Sequence, residues 1–200
     1  MTIVWKWSLN WNANAQVWSN GTATNVTWVD WKQNWAWSFN WSNSWIDIIN
    51  YSASNNLTSF SIWWLIKINS FNTNQMPFSK NWKWFNIRST WIIEADVKFS
   101  TTAAHTTTTN TISIWKWYYI EFVFNWSNID IYINWQICLY STKINWVWSI
   151  TNDNTKNWLL GRYDGTWYFL NGVIDEVVLN NIPLTSAEIK NKALYYNWFI

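Results

Sequence analysis

Glycine is almost missing from this chain: 4 residues in 200, where average usage would supply roughly 14. No glycine-rich phosphate loop is present, which removes the nucleotide-binding signatures. Cysteine occurs once, at Cys138, so an internal disulfide is excluded. That residue reads as a small buried hydrophobe on a strand rather than a catalytic thiol. Histidine also occurs once, at His105, which leaves no plausible Ser-His-Asp arrangement, and no paired metal motif is present. Charged residues make up 12%, about half the ~25% usual in globular domains. The net charge of +2 rests on scattered Lys and Arg and points away from a nucleic-acid partner. No run of about eighteen apolar residues occurs, so no membrane insertion is expected. The opening Met1-Thr2-Ile3-Val4 has no basic segment followed by an apolar core, so no signal peptide is visible. The expectation is a misplaced gene start or a fragment of a longer secreted chain, with an intracellular protein as the other option.

What the chain has in excess is tryptophan, 24 residues. Asn precedes Trp at Asn10-Trp11, Asn34-Trp35, Asn40-Trp41, Asn81-Trp82, Asn125-Trp126, Asn134-Trp135 and Asn145-Trp146. Ser or Asn often follows, as in Trp11-Asn12, Trp41-Ser42 and Trp126-Ser127. These are the surroundings of a turn glycine, since Asn-Gly favours the type I′ hairpin turn with positive φ at both central residues. A bulky side chain there costs about 1–2 kcal/mol, and glycine costs nothing. Several such turns would consume much of the ~5–15 kcal/mol that holds a domain together.

The pattern arises if a gene that reads UGA as glycine, as some bacterial lineages do, is translated with a table that reads it as tryptophan. Gly21, Gly161, Gly165 and Gly172 then come from ordinary glycine codons, and the abundance of Asn, Ile and Lys fits an AT-rich genome. A truly tryptophan-rich carbohydrate binder with stacking platforms accounts for the count but not for the Asn-Trp-Ser contexts. Trp7 and Trp117 sit in strand-like settings and read as genuine; Trp64 and Trp158 stay undecided.

With those sites read as turns, the organisation becomes legible as a single domain over 1–200. Ile129–Asn134 alternates apolar and polar, as a half-buried strand does, and Tyr118–Phe124 is its neighbour. Asn125-Trp126-Ser127-Asn128 joins them as a tight hairpin. Further strands are expected near 3–9, 45–49, 59–68, 84–88, 91–99, 157–162 and 173–180. Many short strands with turn signals between them indicate an all-β sandwich or barrel. Thr101–Thr111 reads as a polar Thr-rich loop, with His105 solvated in it. One short C-terminal helix is expected over Ala187–Tyr195, behind the capping box Thr185-x-x-Glu188.

Four segments resemble the laminin-G-like and concanavalin-A-like jelly rolls. Ser8-Leu9-Asn10-Trp11-Asn12-Ala13-Asn14 is similar to their opening, with Trp11 at a glycine position. Trp31–Trp41 (WKQNWAWSFNW) resembles their "GK-x-G-x-A-x-sF-D/N-G" segment. Phe124-Asn125-Trp126-Ser127 followed by Ile131–Trp135 resembles "y-D/N-G-s…lYvNG". Asn171–Val177, then Leu184–Ile189, resembles "nG-x-IDEV…Ls-x-aEi". The resemblance covers nearly the whole chain in order. It implies two antiparallel sheets face to face, with binding by loops and a concave sheet. It also implies an extracellular or cell-surface module for a carbohydrate or protein ligand, in some members with calcium.

The catalytic Glu-x-Asp-x-x-Glu strand of the glucanase branch has no counterpart. Glu94-Ala95-Asp96 comes nearest, without a second Glu, and Asp175 and Glu176 are adjacent, so a strand points them to opposite faces. No catalytic residue is expected. Calcium is the one cofactor weakly signalled, with Asp47, Asp153, Asp164 and Asp175 as its oxygen donors. For Asp175, satisfaction of turn amides is the stronger reading. Tyr51, Tyr163, Tyr168 and Phe169 are the candidate ligand-binding residues, because sugars stack on aromatic faces; capping the core is an equal role for them. The expected function is non-catalytic carbohydrate recognition or adhesion. The alternative is a structural or protein–protein interaction domain without sugar specificity, and a glycoside hydrolase comes third.

Overall fold

The computed structural model describes residues 3–7, 21–30, 35–50, 52–71, 73–81, 83–98, 103–145, 151–164 and 168–197. Chain order begins with β1 (Ile3–Trp7), β2 (Gly21–Thr24), β3 (Thr27–Asp30), β4 (Trp35–Phe39) and β5 (Trp45–Ile48). The central run is β6 (Ser59–Ile68), β7 (Gln75–Lys80), β8 (Lys83–Ile87), β9 (Ile92–Lys98) and β10 (Ala103–Thr111). It continues through β11 (Trp117–Asn125), β12 (Asn128–Ile133), β13 (Gln136–Ile137) and β14 (Tyr140–Ile144). β15 (Trp158–Leu160), β16 (Gly172–Asn180) and the helix α1 (Ser186–Asn197) close it.

The strands form two antiparallel sheets. The first runs β13-β12-β11-β6-β16-β4-β3, with β1 also on β16; the second runs β14-β10-β9-β8-β7-β15-β5-β2. Their facing sides share one core. Phe60, Ile62, Trp64 and Ile66 of β6 and Ile120, Phe122 and Phe124 of β11 meet Phe78, Phe85, Ile93, Ala95, Trp158 and Leu160 of the second sheet. The expected two-sheet sandwich with a C-terminal helix is therefore what the chain forms. Trp64 stands edge-on to Phe85 at 4.7 Å, and Trp158 stacks on Phe78 at 4.5 Å. Both undecided tryptophans are thus core side chains.

The outer side of the first sheet is buried too. Trp63, Leu65, Tyr119, Val123 and Val178 are covered by Leu184, Ile189, Ala193 and Tyr196. This double burial makes β6 a nearly continuous apolar run instead of an alternating one. The helix begins as its capping box requires: Glu188 accepts the Thr185 N–H at 2.8 Å, and Thr185 Oγ1 accepts the Glu188 N–H at 3.3 Å. In β16 a bulge falls between Asp175 and Val178, with Glu176 at φ +51°. It brings both Ile174 and Val177 onto the inner side.

The Thr-rich segment is a correction. Within it, 103–111 forms β10, paired with both β9 and β14. Threonine is β-branched and suits a pleated strand, provided its hydroxyl finds a partner. Thr106 donates to the Ile129 carbonyl at 3.3 Å, and Thr108 Oγ1 accepts the Ile93 N–H at 3.1 Å. Strands β2, β3, β4, β7, β13 and β14 also lay outside the expected set.

Two of the expected Asn-Trp turn sites are hairpin turns with a positive φ at the tryptophan, whereas Trp35 begins β4 and Trp41 lies in a turn without a positive φ. The β11–β12 hairpin closes through Trp126-Ser127, with Trp126 at φ +54°, the position a type II′ turn gives to glycine. The β12–β13 hairpin closes through Asn134 (φ +48°) and Trp135 (φ +63°), the type I′ pattern. Trp11, Trp82 and Trp146 lie outside the described residues.

Candidate functional site

α1 covers the first sheet, and among the described residues no helix covers the outer side of the second, the open face. Strand register aligns one row across it: Thr22, Asp47, Leu159, Ser79, Trp84, Asp96, His105 and Ile144. Residues two apart on a strand share a face, so Glu94 and Asn86 belong to the neighbouring row, directly opposite one another.

A charged network occupies the centre. Glu94 accepts Arg88 Nε at 2.8 Å, Arg88 Nη2 on its other oxygen, and Asn86 Nδ2 at 3.2 Å. His105 Nε2 lies 3.2 Å from Glu94 Oε1, and its Nδ1 lies 3.8 Å from Asp96 Oδ2. Asp96 and Glu94 together raise His105 to about 9. Burial alone would push the Glu94 carboxyl up, but hydrogen bonds from His105, Arg88 and Asn86 hold it down at about 2. Burial wins at Asp96, whose carboxyl titrates above its ordinary range. His105 is therefore half-buried in an ion network, where a solvated loop position was expected.

Aromatic rings flank the network. Trp84 meets the His105 imidazole edge-on at 6.3 Å. On the far side the Arg162 guanidinium lies 4.2 Å over Trp45, and Phe169 approaches Trp45 at 6.4 Å. Residues Arg162 and Phe169 form a bridge that draws this segment over the sheet, and Ser79 donates to the Arg162 carbonyl at 2.9 Å. Among the described residues, Asp47 Oδ1, Asn86 Oδ1, Asp96 Oδ1 and Arg162 Nε are buried in this sheet region without a hydrogen-bond partner. Such atoms call for a partner from outside the chain.

The candidate aromatic residues divide. Tyr163 comes near Asp96; burial first, then the Asp164 and Asp96 charges, push its hydroxyl up. Phe169 joins the Trp45 cluster, Tyr168 is exposed, and Tyr51 lies outside the described residues. The four candidate metal ligands are dispersed. Asp47 sits on the open face, while Asp164 is exposed and 3.3 Å from Lys156. Asp153 is buried against Lys80 and Lys83, and it accepts the Asn56 N–H at 2.8 Å. Asp175 lies on the opposite sheet, accepting the Glu176 N–H at 2.8 Å. Among the described residues, no group of three or more His, Cys, Asp or Glu could hold a metal ion. Cys138 is buried just beyond β13, and desolvation raises its thiol to about 12.

Sequence reasoning missed Trp84, Arg88, Arg162 and the role of His105. The alternation Glu94-Ala95-Asp96 was the available signal, since it puts two carboxyls on one face of a strand.

No protein-family model matches this sequence, and no curated protein matches it. Solved structures do. The binding domain of Paraclostridial Mosquitocidal Protein 1 matches 98% of this chain and 52% of its own, at 17% identity and TM-score 0.79. The binding domain of botulinum neurotoxin DC in complex with rat synaptotagmin II matches 96% and 51%, at 13% identity and TM-score 0.74. Trypanosoma rangeli sialidase in complex with the inhibitor DANA matches 96% and 32%, at 13% identity and TM-score 0.73. The chain thus spans 51–52% of the two toxin binding domains. These likenesses establish the jelly-roll sandwich, consistent with a concanavalin-A-like fold, and function is carried by sites rather than by the fold.

Proposed function

We propose that this chain is a non-catalytic recognition module of the laminin-G-like, concanavalin-A-like kind, extracellular or cell-surface, that binds carbohydrate on the outer face of its second sheet. The observation that carries this reading is the juxtaposition of aromatic rings (Trp84, Trp45, Tyr163) with fixed polar groups (Asp96, Arg88, His105, Arg162) on that open face. Sugars are held by such a pairing of ring faces and oriented hydrogen-bonding groups. The Glu94 carboxylate, enclosed by Arg88, Asn86 and His105, is held ionised and so is unsuited to act as a general acid. A glycan array run with and without calcium tests the proposal. Binding that weakens at least about tenfold in Asp96→Asn or Arg88→Gln supports it, because truncating a desolvated polar anchor costs ~2 kcal/mol or more. Silence on every glycan would sink it.

A protein-binding role is favoured by one observation: Ile137, Leu139 and Ile144 are exposed beside the edge strands β13 and β14, Leu139 at 71%. Such apolar edges suit a protein partner.

We also propose that the native chain carries glycine at several positions written here as tryptophan. In support, Trp91, Trp115, Trp126 and Trp135 have left-handed backbone, with φ between +54° and +71°. Trp115 and Trp126 are 63% and 58% exposed, so no core packing offsets that conformation. Peptide mass spectrometry of the native protein across Asn125-Trp126-Ser127 reads the residue directly; tryptophan there would overturn the reading.

A further inference from the structure

The outer face of the first sheet carries a second feature, independent of the ligand reading. Glu121 sits at the middle of β11, opposite Trp63 of β6 and Tyr132 of β12, beneath the terminal helix. It is 0% exposed. Tyr119 donates to its Oε2 at 2.5 Å, while Oε1 has no donor among the described residues. The nearby Ser61 hydroxyl donates to the Ile182 carbonyl at 3.1 Å and also stands close enough to Glu121 to favour its ionised form. A buried carboxylate needs a counter-charge or several donors, whereas a neutral carboxyl tolerates such a site.

The surrounding charges offset the burial of Glu121 only in part, the attraction of Lys192 exceeding the repulsion of Glu188. On α1, Lys192 attracts and Glu188 repels, and the Lys192 ammonium lies 5.7 Å from the Trp63 ring. On β16, Asp175 is also buried, Glu176 is its neighbour, and Tyr196 of α1 donates to Glu176 at 3.5 Å. On β6, Lys67 lies farther along the strand, 5.5 Å from the Trp117 ring. Tyr132 faces the site from β12, and Tyr119 from β11 itself. Acids therefore outnumber cations beneath the helix.

We propose that α1 is a pH-responsive cover, seated on the first sheet while Glu121 is protonated and loosened when Glu121 ionises. The hold on the helix is modest in extent: Ile189, Ala193 and Tyr196 are its buried apolar side chains, with Leu184 just ahead of it, and Leu194 and Tyr195 face solvent. Burial places the Glu121 carboxyl at about 7 and, with the Glu176 charge, Asp175 likewise at about 7. Loosening therefore sets in above the carboxyl's ordinary value of 4.5 and levels off once the pH passes about 7.

Hydrogen exchange of the intact chain at about pH 6 and about pH 8.5, corrected for intrinsic rate, tests this, with β9 amides as internal reference. The expected result is a loss of protection in 186–197 of roughly tenfold relative to β9. Glu121→Gln should flatten that loss. Tyr119→Phe, which removes the hydrogen bond to the carboxylate, should shift its midpoint to higher pH. Parallel pH profiles in α1 and β9 would overturn the proposal, as would an unshifted midpoint in Tyr119→Phe or an undiminished loss in Glu121→Gln.

Discussion

Asp153 accepts the Lys83 ammonium where both side chains are buried, joining residues 70 positions apart. The same carboxylate lies 3.6 Å from Lys80, whose ammonium also reaches the Ser54 carbonyl at 3.0 Å and Asn55 Oδ1 at 2.6 Å. One buried anion thus serves two buried cations. Asp153→Ala should destabilise the domain by about 3–5 kcal/mol, because it strands charge in the interior. Urea denaturation checks this, and a loss below about 1 kcal/mol would show that water enters the site.

Lys80 adds a pH signature. Desolvation lowers it from 10.5 to about 8 against the pull of Asp153. Between those values the unfolded chain binds more protons than the folded one, so stability rises with pH across that window. Lys80→Met should flatten the rise in urea midpoints measured over the same range.

The Glu94–His105 network gives a different profile. Glu94 is lowered from 4.5 to about 2, so its contribution is present above 4.5 and lost as pH falls towards 2. His105 is raised from 6.5 to about 9, so its contribution is complete below 6.5 and lost as pH rises through 9. Both act in full between 4.5 and 6.5. His105→Gln should cost about 1–2 kcal/mol in that window and less above pH ~9. Thermal unfolding across pH reads it; an equal loss at every pH would mean that packing alone holds the ring.

Turn chemistry yields opposite signs at different tryptophans. Trp115→Gly and Trp126→Gly should each stabilise by about 1–2 kcal/mol, because the left-handed strain disappears and little packing is lost. Trp64→Gly should destabilise by about 3–5 kcal/mol, since it empties core beside Phe85. Gly161→Ala should also destabilise: Gly161 sits at φ +83°, and an added Cβ would lie 2.4 Å from the Phe39 ring. Melting temperatures of the four variants decide these signs, and destabilisation by both exposed-turn glycines would refute the strain account.

Features encoded in short stretches were legible from sequence. The β6 bounds 59–68, the hairpin between β11 and β12, and the Thr185–Glu188 cap each depend on neighbours close in the chain. The burial of the Thr-rich strand does not: Thr106 and Thr108 become acceptable inside only once Ile129 and Ile93 provide partners. The candidate site is of the same kind. Glu94 and Asp96 share a face by local alternation, yet Arg88, His105 and Trp84 reach them only through the pairing of β8, β9 and β10. The four aspartates looked equivalent as residue types and were separated by topology, two towards the second sheet's outer side, one into a lysine cluster and one onto the other sheet. Composition, period and capping thus determined that this chain is all-β, a sandwich or a barrel, with a terminal helix. Register and layer packing decided which polar groups meet and which are buried, because contacts between distant residues exist only after the strands have paired.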